Sequence, residues 1–167
     1  MKVTGYKLRE AIRRVELQRD TTAGLFKDSL HVFEGESKAD PIDLMKQFRD
    51  AEYAAAALQE AQQRYNLRVS VSVYSKALSL AVAVKMLGGA GRAAKMWRES
   101  ISKKEDRYGN HLERSKDTEA ATRVVAYSVA LREANKADAY AGELRAAIAT
   151  GNATEMEIES LEPILFE

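Results

Sequence analysis

The chain has 167 residues, no cysteine, 26 Lys and Arg against 25 Asp and Glu, and only two Pro. The missing cysteine excludes disulfide frameworks, Cys-ligated zinc and Cys nucleophiles, and a net charge of +1 gives no global attraction to nucleic acid or acidic membrane. A hydrophobic share of 46% supplies a core, and abundant Ala, Leu, Glu, Arg and Lys with few breakers favour helix over sheet.

The opening residues, Met1-Lys2-Val3-Thr4-Gly5-Tyr6, lack the apolar run of a signal peptide. The longest apolar stretch, 77–84, includes Ser79 and is far shorter than the roughly 20 residues a membrane span requires. A soluble, cytoplasmic chain with no membrane partner is expected.

The first helix is predicted from Thr4 to about Leu30. Leu8, Ile12, Val15, Arg19, Thr22, Phe26, Ser29 and Phe33 step by four and three, the seam of a coiled-coil heptad. Its middle is polar. Arg19 and Thr22 either set register within the seam or turn outward to solvent. Residues 34–39 form a polar turn, and Asp40-Pro41 restarts a helix with Asp40 as N-cap, Pro41 at N1 and Asp43 in the first turn. Leu44, Phe48, Ala51, Ala55, Leu58, Gln62 and Tyr65 continue the same spacing. Residues 4–66 therefore read as a long antiparallel helical hairpin.

Residues 67–73 alternate apolar and polar with three valines, the pattern of a half-buried strand. Residues 122–127 and 154–158 are the candidate partners, and 154–161 reads alternatively as a helical turn with Thr154 and Glu157 as a capping box. A third helix is expected over 76–103, a polar loop over 104–121, a strand over 122–127 and a fourth helix over 129–150. That last helix is predicted to stop at Gly151-Asn152, leaving an acidic tail over 151–167. Its seam of Ala130, Ala134, Ala137, Ala141, Leu144 and Ile148 buries little area per residue and calls for a neighbour. The expected whole is a single domain over 1–167, mainly α (α+β), with about four helices in long antiparallel hairpins and a small two- or three-stranded sheet at one end.

Candidate chemistry is sparse. Gly88-Gly89-Ala90-Gly91-Arg92 matches neither the Walker pattern nor GxGxxG and is preceded by a helical sequence. A kink or a close helix approach explains it better than a phosphate cradle, although a small phosphate-bearing ligand near Gly88–Arg92 remains an alternative reading. Residues 92–123 carry nine basic and six acidic side chains. Arg92, Arg98, Arg107, Arg114 and Arg123 are the candidate contacts if this stretch binds nucleic acid, an alternative that the interspersed acids and the near-zero net charge disfavour. His31 near Glu34, Glu36 and Asp40 lacks a recognised metal-ligand spacing. No nucleophile, base and stabiliser assemble from the sequence, so no catalytic, cofactor or metal residues are assigned.

Four strings carry a resemblance: the helix opening Leu8-Arg9-Glu10-Ala11, the turn Glu34-Gly35-Glu36 leading to Asp40-Pro41, the helix end Arg64-Tyr65-Asn66, and Leu144-Arg145-Ala146-Ala147-Ile148. Over most of its length the chain resembles a family of uncharacterised short bacterial proteins, some called septicolysin-like. The resemblance implies a long helical hairpin and self-association, and it brings no catalytic residues. The Gly88–Gly91 string and the acidic tail depart from the family layout. The toxin-like label is at odds with the lack of any membrane-active apolar stretch.

The expected function is that of a non-enzymatic helical scaffold or interaction protein, a homo-oligomer joined through coiled-coil seams. Leu8, Ile12, Val15, Phe26, Phe48, Leu58, Tyr65, Trp97, Leu144 and Ile148 are the expected helix-packing or interface residues.

Overall fold

The structure, a computed structural model, describes residues 1–102, 124–158 and 166. The chain divides into two compact units, one of Met1–Val71, Ser79–Ala81 and Ala149–Glu167, the other of Ser72–Leu78 and Val82–Ile148. Its described elements are β1 (Lys2–Val3), α1 (Gly5–Ser29), α2 (Pro41–Arg68), β2 (Ser70–Val73), β3 (Lys76–Ser79), α3 (Leu80–Ser102), α4 (Tyr127–Ala153) and β4 (Met156–Glu157). The fold is mainly α with a minor sheet component.

In the first unit α1 and α2 form the hairpin. Thr4 caps α1 from an extended backbone, its hydroxyl accepting from the Lys7 N–H at 3.2 Å. Asp40 caps α2 in the same way at the Ile42 N–H, 2.9 Å away, with Pro41 in the first turn. Leu8, Ala11 and Val15 meet Leu44, Ala51, Ala55, Leu58, Ala61 and Tyr65 in the core. The polar middle of the seam stays inside the hairpin. Thr22 is only 4% exposed, and the half-buried Arg19 reaches across to Glu52 at 3.4 Å while holding Asp20 at 2.8 Å. Phe33 departs from the predicted seam. Helix α1 ends at Ser29, so Phe33 lies in the turn and is 75% exposed.

Several boundaries differ from the sequence reading. Helix α2 runs on to Arg68, which shortens the predicted strand to Ser70–Val73. That strand pairs with Lys76–Ser79, which the sequence reading placed in the third helix, and not with 122–127. Tyr74 and Ser75 both adopt positive φ, 47° and 64°, and reverse the chain in two residues. Helix α3 therefore starts at Leu80. Within the predicted strand 122–127, residues 124–126 are not extended pairs and Tyr127 opens α4, while 122 and 123 lie outside the described residues. So does the predicted loop 104–121.

Helix α4 does not stop at Gly151-Asn152 but continues through both to Ala153. Gly151 serves close packing and not a helix end: a Cβ there would lie 2.6 Å from Val71 Cγ1 and 3.0 Å from Leu80 Cδ1. Beyond the helix, Met156–Glu157 is a strand and not a capping-box turn. It pairs antiparallel with β1, Lys2 opposite Glu157 and Val3 opposite Met156. The N-terminal amine and the carbonyl of Met1 extend the ladder to Ile158, at 3.2 and 3.0 Å. Two residues of strand are too short for alternation to reveal β1 in the sequence. Of the acidic tail, residues 159–165 and 167 lie outside the described residues.

Candidate functional site

The residues singled out from the sequence divide by burial. Leu8, Val15, Leu58, Tyr65 and Leu144 are buried, and Ile12, Phe26, Phe48, Trp97 and Ile148 are half-buried. They are core of their own units first, and whatever they offer a partner is an edge. Arg92 is exposed, Arg98 is ion-paired with Asp138 on α4, and Arg107, Arg114 and Arg123 lie outside the described residues.

The glycine string 88–91 lies inside the uninterrupted helix α3. Among the described residues nothing comes within 4 Å of a Cβ built at Gly89 or Gly91, and at Gly88 only the Arg92 side chain does, at 3.5 Å. The string therefore marks no close approach of another described helix. Nor does it form a loop whose N–H groups can cradle a phosphate, because mid-helix N–H groups are spent on the i−4 carbonyls. His31 contributes its backbone carbonyl to Lys38 Nζ at 2.7 Å, and the described residues contain no group of three or more His, Asp or Glu placed to hold a metal.

The buried polar chemistry of the first unit concentrates at Tyr65. Its hydroxyl sits 2.6 Å from the Gly151 carbonyl and 2.7 Å from that of Thr154. Burial pushes its pKa up, and a hydrogen bond from the Gly5 backbone opposes this in part. A Cβ at Gly5 would lie 2.5 Å from Asn152 Oδ1 and 2.8 Å from Tyr65 Cε1. The cluster is tightly packed and closes the hairpin onto the end of α4.

Two exposed apolar surfaces stand out among the described residues. The first is the hairpin tip. Leu30, Val32, Phe33 and Ile42 are all more than half exposed, Ile42 at 78%. The turn that presents them is ordered by the Glu36 N–H bonding to the Phe33 carbonyl at 3.0 Å, with Gly35 at φ +86°. Lys38 folds back over it, Nζ reaching the carbonyls of Asp28 and His31 at 2.9 and 2.7 Å and the Glu36 carboxylate at 3.6 Å. The second surface is a stripe of α3. The buried or half-buried side of that helix is Ala83, Leu87, Ala90, Ala94 and Trp97, spaced 4-3-4-3. Val82, Met86 and Met96 lie on a different face and are exposed, Met96 at 70%. Lys85 and Arg92 share that face.

Neither surface was named from the sequence, although both left a signal. Val32-Phe33 is an apolar pair in a polar turn, and Val82, Met86 and Met96 fall off the spacing of the seam.

No family model and no curated protein matches the chain. In structure it is similar to a functionally unknown conserved protein from Corynebacterium diphtheriae, known from a crystal structure. The TM-score is 0.69 at 15% identity, over 94% of this chain and 100% of that one. At that identity the likeness concerns the fold alone.

Proposed function

We propose that this protein is a non-enzymatic helical interaction protein that works as a homo-oligomer in the cytoplasm. The observation that carries the reading is the hairpin tip, where four large apolar side chains stand in solvent on a turn ordered by hydrogen bonds. Exposing such a cluster costs solubility, and contiguous exposed apolar patches mark contact sites more often than bare surface. Two further points support it. The buried Tyr65 hydroxyl is committed to holding the elements of the first unit together, and α4 presents mostly alanine to its neighbours, which leaves little apolar burial per residue. The septicolysin-like resemblance of the sequence fits the same reading. It has no membrane-insertion counterpart here: among the described residues no helix is long and apolar enough to cross a membrane.

The test is light-scattering mass on the purified chain across a wide concentration range. A stable multiple of 18.6 kDa supports the reading, and a strict monomer at tens of micromolar overturns it.

A further inference from the structure

Resting on that reading, we propose that self-association is heterologous: the hairpin tip of one copy docks on the exposed α3 stripe of the next. The two surfaces are of the same kind, apolar patches flanked by charge, but of opposite sign. Residues 28–43 hold five acidic side chains, Asp28, Glu34, Glu36, Asp40 and Asp43, and one lysine. That lysine, Lys38, is spent within the turn on two carbonyls and Glu36. Helix α3 from Leu80 to Arg98 holds Lys85, Arg92, Lys95 and Arg98 and no acid. Lys95 is paired with Glu99 and Arg98 with Asp138, which leaves Lys85 and Arg92 beside Val82, Met86 and Met96.

Charge decides between the possible self-contacts. Tip against tip sets two acidic rims together, and stripe against stripe sets two basic faces together. Only tip against stripe brings opposite charges into register, and like charges forced together at an interface are strongly disfavoured. Shape agrees. The stripe runs about 21 Å along the helix from Val82 to Met96 at the α-helical rise. Gly89 lies at its middle with no side chain and open space where a Cβ would stand. That notch, flanked by methionines that adapt to an incoming shape, receives Phe33, while Glu34 and Asp43 face Lys85 and Arg92.

Because the two surfaces differ, a two-fold dimer makes the contact twice, each tip on the other copy's stripe, and a contact that is not reciprocated propagates into a ring or an open filament. Its charged rim makes it salt-sensitive.

The test is a charge-swap pair followed by light scattering at low and high salt. Glu34→Lys with Asp43→Lys inverts the tip, and Lys85→Glu with Arg92→Glu inverts the stripe. The wild type should assemble to at least twice 18.6 kDa and loosen with salt. Each double variant alone should associate at least about tenfold more weakly, and an equimolar mixture of the two should assemble again. Restoration on mixing also shows that neither variant is merely unfolded. As a second readout, Phe33→p-benzoylphenylalanine in the wild-type chain should photocross-link to Met86 or Met96 of another copy. A wild type that assembles while either double variant assembles equally well overturns this inference and leaves self-association standing. Cross-links from tip to tip do the same, as does a stripe whose inversion abolishes RNA or DNA binding but not assembly. A wild type that never exceeds one chain mass overturns the self-association reading itself.

Discussion

The hydroxyl of Tyr65 lies 2.6 Å from the carbonyl oxygen of Gly151, a residue 86 positions further along the chain. The same oxygen lies 2.7 Å from the Thr154 carbonyl, so one phenolic proton serves two acceptors beyond the α2–α4 sequence gap. Tyr65 is among the largest fully buried side chains, and this contact ties the C-terminal end of α2 to the C-terminal end of α4 within the first unit. Replacing Tyr65 by Phe keeps the ring and leaves two carbonyls short of a donor. The expected loss is about 1–3 kcal/mol of unfolding free energy, read from urea denaturation. A variant as stable as the wild type would show that water replaces the phenol at no cost.

The same group sets a pH dependence. Burial raises the Tyr65 pKa in the folded chain above its ordinary value of about 10. The folded state therefore holds its proton where the unfolded state has begun to lose it. The stabilisation is complete below the unfolded pKa and is lost as pH rises toward the folded one. Between about pH 9 and about pH 11 the wild type should lose stability more steeply than Tyr65→Phe, so the gap between them narrows. Parallel curves for the two proteins would place the alkaline loss elsewhere.

Glycine-to-alanine substitutions should differ in sign along the chain. Gly151→Ala places a methyl 2.6 Å from Val71 Cγ1, and Gly5→Ala places one 2.5 Å from Asn152 Oδ1 and 3.2 Å from the Asn152 backbone. Overpacking of this kind costs about 1–3 kcal/mol and outweighs the better helix propensity of alanine. Gly91→Ala meets nothing within 4 Å among the described residues, so propensity acts alone and should stabilise by about 0.5–1 kcal/mol. Thermal melts of the three variants check the ordering, and destabilisation by Gly91→Ala would contradict it.

At the β2–β3 turn, Tyr74 and Ser75 occupy the left-handed region that glycine tolerates best. The Tyr74 ring stacks on Tyr140, centroids 5.8 Å apart and planes 14° from parallel. Ser75 has no such return. Ser75→Gly should therefore stabilise by about 0.5–1 kcal/mol. Tyr74→Gly should gain less or lose, because relief of strain is offset by a stacking pair worth about 0.5–1.5 kcal/mol. Equal gains at both positions, measured by denaturant midpoint, would mean the stack contributes nothing.

Much of the helical frame was legible in the residues alone. The start of α1 near Thr4, the Asp40 cap, Pro41 at the start of α2 and the 4-3 spacing through Leu8, Val15, Leu44 and Leu58 depend on neighbours within one or two turns. Hydrogen-bond geometry and period therefore write them locally. The polar seam position Thr22 was ambiguous, because burial of a hydroxyl depends on what lies opposite. The candidate surfaces were the least legible. Val32-Phe33, Val82, Met86 and Met96 read as ordinary apolar residues until the packing showed them exposed.

By itself the sequence determined that the chain is helical and where its first two helices begin, since period and caps are written within a few residues, and that they fold back on one another, since a short polar turn joins two long amphipathic helices. Only the tertiary structure decided that Ser70–Val73 pairs with the residues just after it, that Met156–Glu157 finds its partner at Lys2–Val3, and that Gly151 is a packing glycine inside a helix and not a stop. The last two turn on which distant side chains arrive at the same place, and the first on a two-residue reversal at positive φ, which Tyr74 and Ser75 do not signal as Asn or Gly would. A glycine reads the same in sequence whether it ends a helix or makes room for Val71 and Leu80, and only the neighbour's position separates the two.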